Sequence, residues 1–342
     1  MKVYKIIKIL LANLAVLIVL LLFCEIIMRM RGHKPWDKHG NKVDIEVIPE
    51  RKFYDRDTLL GYRLFPGKFK LRLKGVHEFT MEHDSWTQRI TSPIKDQEGI
   101  KQPEIWILGS SFTYGWGIDD NETFAWILQS NLTDFKIRNW GVAGYGTIHT
   151  YLQLKDAIKK GIKPNSIIIN HSDYHFGVNT FCNANRRALV GWNFLGEVNQ
   201  PYATLNEDKT LNIEHSKIVY DPWYFSEYSA LSYYGSVKYE EYVDKNNKLT
   251  EIEITRLMYE KIFALCNENQ VKVLLMSMEE DLNFIKDVSA KNNILFLHNY
   301  VNLDEKGNSN MPYDHHPSAK ANKIYAEKLY DYLKNSPLIE YK

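Results

Sequence analysis

Five short apolar runs constrain this chain more than any other feature: IWILG (105–109), FKIRNWG (135–141), SIIIN (166–170), VKVLLMSM (271–278) and ILFLHNY (294–300). Each has the length of a strand rather than a helix. Each is followed, at once or after an interruption, by helical spacing: ETFAWILQSNL (122–132) before the second run, IHTYLQLKDAIKK (148–160, stopped by Gly161), then 250–267, 279–290 and 318–333. Strands that are apolar throughout are covered on both faces, and alternation with helices makes the sheet parallel. The expected fold is therefore α/β, a three-layer doubly wound sheet of about five parallel strands, with its site beyond the carboxyl ends of the strands.

Ahead of this pattern, Ile9–Met28 reads ILLANLAVLIVLLLFCEIIM, strongly polar only at Asn13 and Glu25. About 20 residues rising 1.5 Å each cross the roughly 30 Å apolar layer of a bilayer. The stretch FCEIIMRMRG offers no small-residue cleavage site, and Leu21-Leu22-Phe23 before Cys24 is a poor lipoprotein signal. Residues 1–31 thus read as a short tail and a single-pass transmembrane anchor. Lys2, Lys5 and Lys8 before the span nearly balance Arg29, Arg31, Lys34 and Lys38 after it. The layout of a short tail and a large following domain is that of a signal anchor, which places the domain outside the cytoplasm, in a periplasm or at a cell surface. The 43 Lys+Arg and 42 Asp+Glu give a net charge of +1. Lys2, Lys5, Lys8, Arg29 and Arg31 against Glu25 make residues 1–31 +4, which leaves −3 for the remainder. No basic surface for nucleic acid is implied.

Residues 32–50 are polar with two prolines and read as a linker, and 51–335 as one domain. Within it, 51–102 reads as a β-rich lead-in of two or three strands, and 180–249 as an insertion. The insertion opens with a hairpin turning at NEDK (206–209) and continues with nine aromatics between Tyr220 and Tyr242. These read as packing residues near the site, with a sugar platform or an acyl-chain groove as the alternatives. Cys24, Cys182 and Cys266 are too few and too far apart for a disulfide framework or a zinc site; two separate thiols, or one Cys182–Cys266 bridge, fit the count.

Chemistry is expected in the loops after the strands. Gly109-Ser110-Ser111-Phe112-Thr113-Tyr114-Gly115 follows the first, and Met311-Pro312-Tyr313-Asp314-His315-His316-Pro317 precedes the last helix. A serine hydroxyl at a sharp strand-to-helix turn needs a base, and an Asp two residues before a His can orient the imidazole.

The segments WILGSSFTYGWGIDDNETFAWIL, NWGVAGYGT and DHHPSAKANKIYAEKL resemble the blocks of the SGNH (GDSL-like) hydrolases, and LLGYRLFPG resembles the lead-in of membrane-anchored members. The resemblance spans about 58–334. It implies a flavodoxin-like sheet and ester chemistry with Ser111 as nucleophile, His316 as general base and then acid, and Asp314 as its orienting carboxylate. It also implies that the N–H groups of Ser111 and Gly144 bind the oxyanion, and it calls for no cofactor and no metal. His315 is the rival base. The implied substrate is an acyl ester, of an envelope glycan or a lipid, with O-acyl transfer or glycan binding without catalysis as alternatives. Two departures stand out: Gly-Ser110-Ser111 replaces Gly-Asp-Ser, and the expected Gly-x-Asn-Asp is here Asn170-His171-Ser172-Asp173-Tyr174-His175. A side-chain oxyanion donor is thus unassigned among Asn170, Ser172, Asn179 and Tyr174. His171, Asp173, His175 and His316 together invite a metal, although His171-x-Asp-x-His175 lacks helical ligand spacing.

Overall fold

A computed structural model describes residues 2–37, 45–93, 102–190 and 195–339. Helix α1 (Lys2–Met30) is long and apolar enough to cross a membrane, and its apolar surface is not covered by the rest of the chain. Five short strands follow: β1 (Ile45–Ile48), β2 (Tyr54–Asp57), β3 (Gly61–Leu64), β4 (Gly67–Leu73) and β5 (His77–His83). The lead-in therefore holds four strands where two or three are expected, because Gly61, Gly67 and Gly75 turn the chain at positive φ every few residues. Strand β1 falls inside the segment read as a linker and pairs antiparallel with β4; residues 38–44 of that segment lie outside the described residues.

The expected α/β sheet forms from β6 (Glu104–Leu108), β7 (Lys136–Asn139), β8 (Ser166–His171), β11 (Lys272–Ser277) and β12 (Leu295–His298), all parallel, in the order β12-β11-β8-β6-β7. Between β6 and β7 lie the single turn α2 (Ser111–Tyr114) and helix α3 (Phe124–Asn131), and α4 (Thr147–Lys159) follows β7. Beyond β8 come α5 (Tyr174–Thr180), α6 (Asn183–Val190), the hairpin β9 (Asn199–Leu205)–β10 (Leu211–Lys217) and the 39-residue α7 (Ala230–Glu268). Helices α8 (Asn283–Asn292) and α9 (Ala319–Lys334) complete the chain.

Alternate side chains of each central strand enter opposite cores. Ile105, Ile107, Ile137, Ile168 and Leu274 pack with α3 and α9, while Trp106, Leu108, Ile167, Ile169 and Leu275 pack with α4, α7 and α8. Residues 250–267, expected as a separate helix, are the buried half of α7, whose other half (from Ala230) absorbs part of the aromatic run. Most of that run does not pack: Trp223, Tyr224, Phe225, Tyr228, Tyr239 and Tyr242 are exposed, whereas Tyr220 is buried. Cys24, Cys182 and Cys266 are free thiols.

Strand β6 lies between β7 and β8, so winding reverses there and a crevice opens between the carboxyl ends of β6 and β8. A third apolar cluster beside it packs lead-in residues Tyr62, Leu71 and Phe79 on Tyr114, Trp116 and Tyr145. Two buried imidazoles support it. His83 joins the Phe65 carbonyl and the Tyr114 hydroxyl, and His149 accepts from the Gly146 N–H and stacks on Tyr145. Burial lowers both from 6.5 to about 3. As pH falls below 6.5 the unfolded chain takes up these protons first, so stability is lost progressively between there and about 3. We expect a loss of about 1.4 kcal/mol per pH unit for each histidine. Urea midpoints at pH 7 and 5 test this, and equal midpoints would refute it.

Candidate active site

The crevice is built from the loop after β6. Gly109 ends the strand where any Cβ would collide with the Thr113 hydroxyl, so the chain turns at once into α2 with Ser111 as its first residue. Gly141, after β7, comes equally close: a Cβ there would sit 2.6 Å from the Tyr114 nitrogen. Ser111 thus stands at the sheet edge with its hydroxyl in the crevice.

The loop between β12 and α9 supplies the facing groups. Its ends are tied by Ser318 N–H to the Asn308 carbonyl and Asn310 N–H to the His316 carbonyl. The Ser111 Oγ–H donates to His316 Nε2 at 2.9 Å, and His316 Nδ1–H donates to Asp314 Oδ1 at 2.5 Å. Asp314 also accepts the His316 backbone N–H at 3.0 Å and the Trp116 indole N–H at 3.0 Å. Burial opposes the Asp314 charge, but the His316 ring and these two further donors outweigh it and hold the carboxyl below its usual 3.8. Phe112 meets the His316 ring edge-on at 5.5 Å. His315, the rival base, is turned to solvent and pairs with Asp304 at 3.1 Å.

The N–H groups of Ser111 and Gly144 make no hydrogen bond among the described residues, and both residues line the same cavity. Gly144 has φ +85°, and a Cβ there would strike the Tyr62 hydroxyl, which donates to the Ala143 carbonyl at 2.8 Å. The side-chain candidates separate. Asn179 is buried away from the cavity, its Oδ1 accepting from Ile148 N–H and its amide donating to Thr255. Ser172 donates to Glu279, and the Tyr174 hydroxyl accepts from Asn185. Asn170 alone sits at the end of β8 beside Thr113, to which its Nδ2 donates at 3.2 Å, while its Oδ1 has no partner. His171 bonds Tyr259 and Asp173, His175 is sealed in the interior, and no group of three or more potential metal ligands forms among the described residues.

The cavity has a volume of about 590 Å³, within the range of small-molecule sites. Its floor holds Ser111, Asp314 and His316, and its walls are apolar: Tyr54 and Tyr62 from the lead-in, Leu189, Val198 and Ile218 from the insertion. None of the nine aromatics of 220–242 lines it, so that run does not flank the site as expected. The insertion contributes aliphatic residues instead.

Two residues outside the expected set support the serine turn. Trp116 fixes Asp314, as above. Arg89 is wholly buried, pairs with Asp120 at 2.8 Å and donates to the carbonyls of Tyr114, Gly115 and Ile118, which close the turn after Ser111. Its backbone bridges His83 and Asn139, tying β5 to β7. Replacing Arg89 with Met leaves the half-buried Asp120 without this partner and takes the guanidinium donor from the Gly115 and Ile118 carbonyls. We expect a loss of about 3–5 kcal/mol in urea unfolding; a loss below about 1 kcal/mol would overturn this role for Arg89.

Neither a family model nor a curated protein matches the chain. Among solved structures, it is similar to a lipolytic protein of the G-D-S-L family from Desulfitobacterium hafniense DCB-2, at 12% identity and TM-score 0.38, over 67% of this chain and 99% of that one. It is similar also to TesA, at 14% identity and TM-score 0.38, over 69% and 99%. The salicylyl-acyltransferase SsfX3 from a tetracycline biosynthetic pathway matches at 12% identity and TM-score 0.34, over 79% and 62%. The fold assignment rests on strand order and register, which are those of a doubly wound sheet.

Proposed function

We propose that the chain is a membrane-anchored serine esterase that cleaves an acyl ester outside the cytoplasm, with Ser111 as nucleophile. The observation that carries this reading is the chain of contacts from Ser111 Oγ through His316 to Asp314, opening into an apolar cavity. Ser111 Oγ attacks the ester carbonyl as its proton passes to His316 Nε2, and Asp314 stabilises the imidazolium. The N–H groups of Ser111 and Gly144, free of other partners among the described residues, receive the oxyanion. Collapse expels the alcohol, which takes the proton from His316, and water then releases the acyl group by the reverse sequence. The acyl chain occupies the wall of Leu189, Val198 and Ile218. A hydroxyl acceptor in place of water would turn the same acyl-enzyme to transfer.

A fluorophosphonate probe applied to the full chain in detergent tests the reading. The expected result is a single adduct that peptide mapping places on Ser111. No adduct together with no turnover of short aryl esters would refute it.

A further inference from the structure

The exposed aromatics that do not serve the cavity collect where α1 meets the domain. Residues 221–229 form a tight loop ahead of α7: Ser226 N–H bonds the Trp223 carbonyl, Tyr228 and Ser229 N–H bond the Phe225 carbonyl, and Phe225 holds φ +69°. This loop presents Trp223, Tyr224, Phe225 and Tyr228 to solvent, half to nearly nine-tenths exposed. Trp223 leans on Gly235 and Tyr239 of α7, and with Tyr224, Phe225 and Tyr228 it forms an apolar patch on a well-bonded loop, at least half of each ring residue being open to solvent.

The loop is fastened to the end of α1. Glu25 accepts from the Ser229 hydroxyl at 2.8 Å and from the N–H groups of Ala230 and Leu231 at 3.0 and 2.9 Å. Arg29 donates to the Tyr228 carbonyl at 2.8 Å, Trp36 N–H to the Ser226 carbonyl at 2.8 Å, and His33 meets the Tyr234 ring at 4.9 Å. These contacts fix the rings at the depth where the apolar span gives way to Arg29, Arg31 and Lys34. In a bilayer that depth is the headgroup boundary, where Trp and Tyr favour an apolar ring with a wet polar tip. The nearby cations also offset Asp221 and Glu227, so anionic headgroups are not repelled.

We propose that the 221–229 loop is a bilayer-docking surface: Trp223, Tyr224, Phe225 and Tyr228 insert into the headgroup boundary of the membrane that α1 spans. The domain then lies on that membrane rather than hanging from it. The proposal rests on the reading of α1 as a span. It adds a second contact with lipid.

The test uses the full chain in phosphatidylcholine–phosphatidylglycerol vesicles, with lipids brominated either near the headgroups or near the bilayer centre. The fluorescence difference between the unaltered chain and Trp223→Phe isolates Trp223. It is expected to fall about twofold or more with shallow bromines and less with deep ones. Tyr228→Trp in the Trp223→Phe background should restore a signal quenched in the same way, which keeps the test open if the first variant folds poorly. A chain that resists carbonate extraction, but whose Trp223 signal and introduced indole at position 228 are equally bright in brominated and plain lipid, overturns the docking surface alone. A chain released by carbonate overturns the span, and the docking surface with it.

Discussion

Ser111→Ala is expected to lower kcat/KM for a short aryl ester by about 10⁴–10⁶-fold, with thermal unfolding nearly unchanged. Among the described residues the side chain makes one hydrogen bond, to His316 Nε2, and it lies in an open cavity, so its loss costs little folding energy. The rate effect is large because Ser111 carries the one hydroxyl hydrogen-bonded to His316 among the described residues. The two groups act as a unit, so Ser111→Ala with His316→Ala should be no slower than either change alone, since each removes the same step. Steady-state turnover of the three variants measures this. A Ser111→Ala enzyme keeping a tenth or more of its rate would assign the chemistry elsewhere.

Asp314→Asn is the second large effect, expected at about 10⁴-fold in kcat with substrate binding retained. Asp314 accepts from three groups, His316 Nδ1–H, His316 N–H and the Trp116 indole. An amide in its place presents an N–H to one of these donors or turns the imidazole to the other tautomer, leaving Nε2 protonated and unable to accept from Ser111. The carboxyl is held below its usual 3.8 by the His316 ring and the two further donors, which outweigh burial. Its lowered value adds stability above 3.8 that is lost as pH falls through the folded value. The acid limb of kcat/KM in the unaltered chain should therefore show no Asp314 ionisation above about pH 4. A two-proton limb there would contradict a charged Asp314.

The sheet was legible because its three central strands carry continuous apolar runs buried on both faces: Ile105–Leu108, Ile167–Ile169 and Leu274–Met276 are almost wholly inaccessible. The serine and histidine loops were legible because each lies directly after a strand or before a helix, where order along the chain fixes place in the sheet. The lead-in was harder, since β2 and β3 are four residues long and YDRD carries no apolar alternation. The role of Arg89 had no local signal. Its partners, Tyr114, Gly115, Ile118 and Asp120, lie 25 residues or more away and meet it only once β5 and β7 are bridged. The aromatic run misled for a physical reason: composition registers ring content but not which surface the rings face, and here they face outward beside α1.

The Glu25 carboxylate has a consequence for how the protein is handled. It receives the first amide groups of α7, a helix that begins more than 200 residues later and whose far half is central to one core. Helix α1 thus completes a helix terminus of the domain that follows it. A truncated chain beginning beyond Met30 would lose that carboxylate and open those amides to water. Preparations that keep α1 retain this contact, and the helix is better treated as the first structural piece of the domain than as a handle to be removed.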